Sequence, residues 1–399
     1  MSKLDFMSNL LKKTEVEWKT LGDISIIYGG LTGKSKNDFE DGNASYVPYK
    51  NIFYNIAVDF DELESVKVST TENQREVKYG DILFTGSSES PDEAGMSSAI
   101  TQELTKTIYL NSFSFGVRFN SDIKINPHFS KYLFRSHFMR KEIIKTASGV
   151  TRFNISKARF KKLQIHIPPL NVQAEIVRIL DAFTELTAEL RTELVARKQQ
   201  YAYYRDQLLT FDNDKAEVKT LEEICIMRAG QHISASKILA DIDIDHIYPC
   251  FGGNGIRGFV NKNSHDGSYL LVGRQGALCG NVHRMSGKFY ATEHAVVVTA
   301  KEGINIDWAF HMLTLMNLNQ YASKSAQPGL AVGKLASLKV SVPPLDEQER
   351  IASILDKFDT LTTSLTEGLP REIALRQQQY EYYRELLLSF PKPEVVEHD

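Results

Sequence analysis

Ile167-Pro168-Pro169-Leu170, followed by Gln173, Ile179-Leu180-Asp181 and Phe183, is written a second time as Val342-Pro343-Pro344-Leu345, followed by Gln348, Ile354-Leu355-Asp356 and Phe358. The two stretches lie 175 positions apart. Downstream, Gln199-Gln200-Tyr201-Ala202-Tyr203-Tyr204-Arg205 through Phe211 returns as Gln378-Gln379-Tyr380-Glu381-Tyr382-Tyr383-Arg384 through Phe390, an offset of 179. Upstream, Glu17-Trp18-Lys19-Thr20-Leu21 through Ile24 returns as Glu217-Val218-Lys219-Thr220-Leu221 through Ile224, an offset of 200. One unit is therefore present twice. The offset drops from 200 to 175 across the globular parts, whose interiors show no convincing sequence match, and rises by four within the second repeated stretch.

The repeated stretches read as helices. Ile176, Ile179, Phe183, Leu186 and Leu190 follow 3-4-3-4 spacing, as do Ile351, Ile354, Phe358, Leu361 and Leu365, which is the seam of a coiled coil. Leu194 follows Leu190 by four, a stutter. The proline pairs cannot sit in a helix interior, and Asn171 and Asp346 suit N-caps just beyond them. The first helix can run to about Leu209, roughly 58 Å at 1.5 Å per residue. In the second copy Glu367-Gly368-Leu369-Pro370 carries the four extra residues and predicts two helical pieces. Tyr201, Tyr204 and Leu208, like Tyr380, Tyr383 and Leu387, keep helical spacing and read as core or subunit contacts before stacking platforms for nucleic acid.

Each head between the helices reads as short strands followed by a helical stretch. Ser45 to Tyr49, Asp81 to Phe84 and Phe113 to Phe119 are strand-like in the first, with His128 to Lys145 helical; Tyr269 to Val272 and Ala295 to Val298 are strand-like in the second, with Ile306 to Gln320 helical. The fold class expected is α+β: two mixed α/β domains separated by an antiparallel coiled coil of long helices, related by a pseudo-twofold internal repeat. The boundaries expected are 1–167, 168–212, 213–342 and 343–392, with 393–399 as a tail.

The chain has 399 residues and a formal net charge of −3. No apolar run approaches the roughly 20 residues that cross a bilayer, and Met1 to Leu11 lacks the pattern of a signal peptide, so a cytoplasmic location is expected. Cys225, Cys250 and Cys279 show no paired spacing and read as reduced thiols. The run from Lys131 to Lys162 holds ten cations (among them Arg135, Arg140, Arg152, Lys157 and Arg159) against Glu142 alone; it is either a phosphate-binding face or a solvated helix surface.

Catalytic signatures are missing. Gly33-Lys34-Ser35 resembles the end of a P-loop, but the leading glycine position is Tyr28 and a polar stretch follows. Pro91-Asp92-Glu93 has no following acidic residue and lysine to complete a nuclease site. Neither Pro-Pro pair belongs to an adenine methyltransferase motif, and His283, His294 and His311 lie 11 and 17 apart, without zinc-helix spacing. No metal or cofactor is expected in this chain. Glycine-rich turns punctuate the heads at Gly29 to Lys34, Gly86 to Ser90, Gly252 to Gly258 and Gly273 to Gly276. Glycine lets backbone approach a ligand, and neighbouring Arg, Gln and Asn read purine edges. Each turn taken singly reads equally as a plain turn.

Two different heads, each followed by a Pro-Pro-Leu helical region, resemble the specificity subunit of type I restriction-modification enzymes over essentially the whole chain. Thr187 to Leu190 with Arg191 to Leu194 is similar to the Thr-Ala-Glu-Leu repeat of one subgroup, and Gly149 to Ile155 and Ser325 to Leu330 sit where such subunits carry a DNA-proximal loop. The resemblance implies antiparallel helices that hold two target-recognition domains apart over a bipartite double-stranded site with an unread spacer. It implies two modification subunits that use S-adenosylmethionine and restriction subunits that use ATP and Mg, this chain being non-catalytic. Lys34, Lys36, Ser87, Ser88, Arg152, Asn254, Arg257, Arg274, Gln275 and Gln327 are expected at DNA. The rival readings are a coiled-coil scaffold without DNA binding and a self-sufficient methyltransferase.

Overall fold

The computed structural model describes residues 14, 16–212, 216–276, 278–324 and 328–391. It divides into two compact units: residues up to Ala188 together with those from Ala374 onward, and Glu189–Ile373. One continuous helix, Leu170–Leu208, gives its first part to one unit and its second part to the other.

In the first unit the apolar strands form an antiparallel sheet in the order Ser25–Gly29, Ser114–Phe119, Ile82–Thr85, Ser97–Ala99. Its inner face carries Phe84 and Phe115, and Phe84 also meets Phe134 and Phe160 at ring-centroid distances of 5.2 and 5.0 Å. A second sheet places Ala44–Val47 between Glu64–Val66 and Ile108–Leu110, the latter pairing parallel. Just before the strand Ile82–Thr85 stands the buried Asp81, whose carboxylate accepts from Tyr28 Oη at 2.5 Å and from Arg118 Nε and Nη2 at 2.8 and 2.6 Å. A buried charge is tolerable only with such pairing.

The expected helix from His128 to Lys145 is two, Pro127–Leu133 and His137–Ile144. Asn126 caps the first through His128 N and Ser136 the second through Met139 N. Part of the basic run serves the fold. Arg135 donates to the carbonyls of Ser97, Ile52 and Phe53, and Arg140 to those of Gly95, Asp92 and Ala94. Lys131 pairs with Asp181 at 2.8 Å. Burial lowers both guanidinium pKa values to about 10, which leaves them charged at neutral pH, so the reading of all ten cations as one phosphate-binding face is corrected for these three.

The second unit repeats the layout. Cys225–Ala229, Ala295–Ala300, Tyr269–Gly273 and Val282–Met285 form an antiparallel sheet in that order, and Tyr248–Gly252 pairs parallel with Lys288–Ala291 in a second sheet. The two heads, whose interiors show no convincing sequence match, thus share a strand order. Identity was lost because a strand needs only alternating apolar character and a turn. The three cysteines are free and buried.

The repeated motif explains itself in contacts. Buried Gln173 accepts from Asn126 N at 2.7 Å through Oε1 and donates through Nε2 to the carbonyls of Pro168 and Lys124; buried Gln348 accepts from Asn305 N at 2.9 Å and donates to those of Pro343 and Gly303. Each glutamine fastens the Pro-Pro corner to the start of its head's helix. Asp181 accepts from Lys131 and Tyr132, and Asp356 accepts from Arg284 and lies 2.8 Å from His311 Nε2. Arg284 Nη2 lies 3.1 Å from the same nitrogen, and Tyr201 Oη 3.1 Å from His311 Nδ1.

The helices begin at Leu170 and Leu345, with Pro344 as the second one's N-cap, so Asn171 and Asp346 are second residues and not caps. The second module is two pieces, Leu345–Thr363 and Gly368–Leu387. Gly368 has φ +75° and a Cβ there would meet Thr360 O at 2.5 Å, a requirement only glycine meets. Leu365 falls in this break and is 81% exposed, which removes it from the expected seam. Within the first unit the partners run antiparallel: His166 packs on Phe390 and Phe183 stacks on Tyr383 at 5.3 Å. In the second unit Tyr204 stacks on Phe358 at 5.8 Å.

Candidate nucleic-acid interface

In the first unit three loops meet at one end of the main sheet. Ile82–Thr85 leads into Gly86, whose N–H donates to Phe113 O at 2.9 Å and whose carbonyl accepts from Ile155 N at 2.9 Å. Ser87 and Ser88 pair with Asn154 and Phe153. The turn before Ser114 is locked by the buried Asn111: its amide donates to Val47 O, and its Oδ1 accepts from Phe113 N and Ser114 Oγ, each at 3.0 Å. A Cβ on Gly30 would lie 1.9 Å from Asn111 O, so glycine is required where the neighbouring strand crosses this turn.

Between these loops is a cavity of about 480 Å³ lined among others by Tyr54, Ser87, Phe113, Arg152 and the carboxylates of Glu89 and Glu93. Tyr54 is 74% and Phe113 68% exposed. Tyr49 Oη donates to Ser87 O at 2.8 Å, and burial raises its phenol above the usual value, keeping it a donor. The rim offers an exposed guanidinium, hydroxyls and two open aromatic faces, a set suited to phosphate, base edge and base face respectively.

The second unit builds the same frame with other side chains. Arg274 N donates to His294 O at 2.8 Å, and Arg274 O accepts from Leu330 N at 2.9 Å. Gln275 bridges to Gly329 as Ser87 does to Asn154. The buried Thr292 takes the place of Asn111, accepting from His294 N at 3.4 Å through its hydroxyl. A Cβ on Gly230 would lie 2.3 Å from Thr292 O. His294 Nδ1 lies 2.6 Å from Gln275 Oε1, so the imidazole donates there.

The expected site residues divide. Ser87, Ser88 and Arg152 meet at one cavity, although Ser88 Oγ is turned inward to Ser90 O. Lys36 is exposed at the start of a short 3-10 helix, Lys36–Phe39. Lys34 is corrected: its side chain is 3% exposed, pairing with Glu72 at 2.6 Å and donating to Lys67 O at 2.5 Å, so its charge is spent inside the head. Gln275 and Asn254 are exposed, Asn254 accepting from Asn281 Nδ2 at 3.2 Å. Arg257 is exposed with its stem over Gly252, and Arg274 is half-buried with its backbone in the frame. Gln327 and the 393–399 tail lie outside the described residues. Phe113, read from sequence as strand, and His294, weighed only as a zinc ligand, were not among the residues expected at DNA. Phe113 was absorbed into the strand that begins at Ser114, and the one available signal was Gly30 recurring as Gly230 at the repeat's offset.

Among the described residues no three His, Cys, Asp or Glu side chains are grouped to hold a metal ion, and no helix is long and apolar enough to cross a membrane. A family model for the type I restriction modification DNA specificity domain matches residues 13–196 and again 213–375. The chain is similar to the type I restriction enzyme EcoprrI specificity subunit of Escherichia coli, 46% identical over 92% of this chain and 93% of that one. It is also similar to a putative type I restriction enzyme specificity subunit of Haemophilus influenzae, at 31% over 96% and 98%. Among solved structures, an S subunit from M. genitalium aligns with a TM-score of 0.56 at 15% identity, covering 96% of this chain and 97% of that one. A chain from a study of assembly and conformational transition of the type I system aligns at 0.64 and 17%, covering 94% and 98%. With both copies matched by one model, the chain belongs to the family of type I restriction-modification specificity subunits.

Proposed function

We propose that this chain supplies sequence specificity to a type I restriction-modification complex, each head reading one half of a bipartite double-stranded site. The observation that carries the reading is the pair of matching frames: the same turn hydrogen bonds present Ser87, Phe113 and Arg152 in one head and Gln275 and His294 in the other. A kept scaffold with changed side chains is what two readers of different sequences require, since base identity is read by side chains in the grooves while backbone sets register. A scaffold without DNA binding has no need of an exposed cation among open aromatics at a locked turn.

In this reading the recognition domains are 1–167 and 213–342, and the helical regions 168–212 and 343–392 set the spacer and dock two modification subunits. Those subunits bring S-adenosylmethionine and methylate adenine; restriction subunits bring ATP and Mg and cleave. This chain is non-catalytic and cytoplasmic, and of the sequence-expected residues Lys36, Ser87, Ser88, Arg152, Asn254, Arg257, Arg274, Gln275 and Gln327 approach DNA. The test is a mobility shift with the purified complex together with a methyl-transfer assay on the chain alone. Retarded duplex DNA and no transfer by the chain alone are expected. No retardation with partners present would favour a protein scaffold, and transfer by the chain alone a methyltransferase.

A further inference from the structure

The two frames leave few places from which the heads can differ in what they read. Gly30 and Gly230 cross beneath equivalent turns, Gly86 and Arg274 bond to the turn tips, and Asn111 and Thr292 fasten them from inside. The frame holds the backbone of the residue at each tip and leaves its side chain to vary. In the first head it is Phe113, a phenyl held 68% exposed beside the 74% exposed Tyr54 and the cation of Arg152. Val150, 91% exposed, stands in the same loop as Arg152. These three are the most exposed large apolar side chains described in that unit, and Phe113 and Tyr54 line one cavity mouth rather than scattering as isolated surface residues do. A phenyl has no donor or acceptor; rigidly presented to a groove, it contacts a thymine methyl or wedges against a base step.

In the second head the tip is His294. Its Nδ1–H donates to Gln275 Oε1 at 2.6 Å, which takes one of the amide oxygen's two lone pairs and fixes the end of the amide that faces the histidine. A glutamine so oriented keeps both Nε2 donors for purine N7 or O6 acceptors.

We infer that Phe113 and His294 are specificity-determining residues, the first by direct apolar contact with base edges of one half-site, the second as a positioning residue that holds Gln275 as a donor toward the other. The inference rests on the reading of both heads as DNA readers. It is tested by long-read methylation mapping in cells that express the complex with F113A, H294A, Q275A or the unaltered chain. F113A is expected to make one position of the first half-site degenerate, its discrimination falling from the roughly 10- to 100-fold of a read base pair toward unity, with the second half-site intact. H294A and Q275A are expected to relax the same position of the second half-site, because one acts through the other, and H294N, whose amide can still donate, is expected to restore part of it. An unaltered chain that gives no bipartite motif sinks the underlying reading alone. An unaltered motif in F113A and H294A, with methylation at the normal level, overturns this inference. If either alanine variant abolishes methylation, F113L and H294L, which keep bulk at the tip without the phenyl ring or the donor, decide: a changed motif supports the inference and an unchanged one overturns it.

Discussion

His166 makes the first unit acid-sensitive by a calculable amount. The ring is fully buried in the strand Gln164–Ile167, against Trp18 and Phe390 at centroid distances of 5.2 and 4.9 Å, and neither ring nitrogen has a hydrogen-bond partner among the described residues. Burial lowers its pKa from 6.5 to about 4. Above 6.5 the ring is neutral folded and unfolded, and stability is whole. Between 6.5 and about 4 the unfolded chain takes up a proton that the folded one refuses, so stability falls with pH, by about 2 kcal/mol at pH 5 and about 3 kcal/mol once both forms are charged. H166F places a ring of similar shape in the same aromatic nest and does not titrate. The assay is urea unfolding followed by tryptophan fluorescence in a W308F background, which leaves Trp18 as sole reporter, because the chain has two tryptophans. The stability gap between H166F and the histidine form should widen by about 2 kcal/mol from pH 7.5 to pH 5. A gap that stays constant across that range would refute the reasoning. Since Trp18 Nε1 donates to Pro391 O at 3.1 Å, loss of that hydrogen bond should accompany the acid transition.

Three further outcomes are expected. Arg152→Ala should weaken DNA binding across sequences and lower the slope of log K against log salt by about 0.9, the signature of one lost phosphate contact; an unchanged slope would place the guanidinium off the backbone. Asn111→Ala removes three bonds inside the first head and should cost about 2 to 4 kcal/mol in denaturant unfolding, with the second half-site still read once the complex forms. Deleting Arg191 to Leu194 shortens a helix by about 6 Å and should shorten the unread spacer by about two base pairs while both half-sites persist; altered half-sites would contradict a helix-set spacer.

The helical regions were legible because coiled-coil spacing, proline pairs and a repeated motif are local signals, and Gln173 and Gln348 repeat their contacts as they repeat in sequence. The shared frame of the heads was not, because it is made of backbone hydrogen bonds whose side chains are free to change: Asn111 and Thr292 do the same work with different chemistry. Charge was the misleading signal. Lys34, Arg135 and Arg140 look like DNA contacts in a string of letters, and only the fold reveals the carboxylate and carbonyls that hold them.

Adenine methylation mapped genome-wide in a host with active partner subunits, with and without this gene, asks whether two heads on one chain read two different half-sites. One bipartite methylated motif with unlike halves, lost when the gene is removed, is the expected result; a methylation pattern that is the same in both strains would mean that the heads do not read DNA.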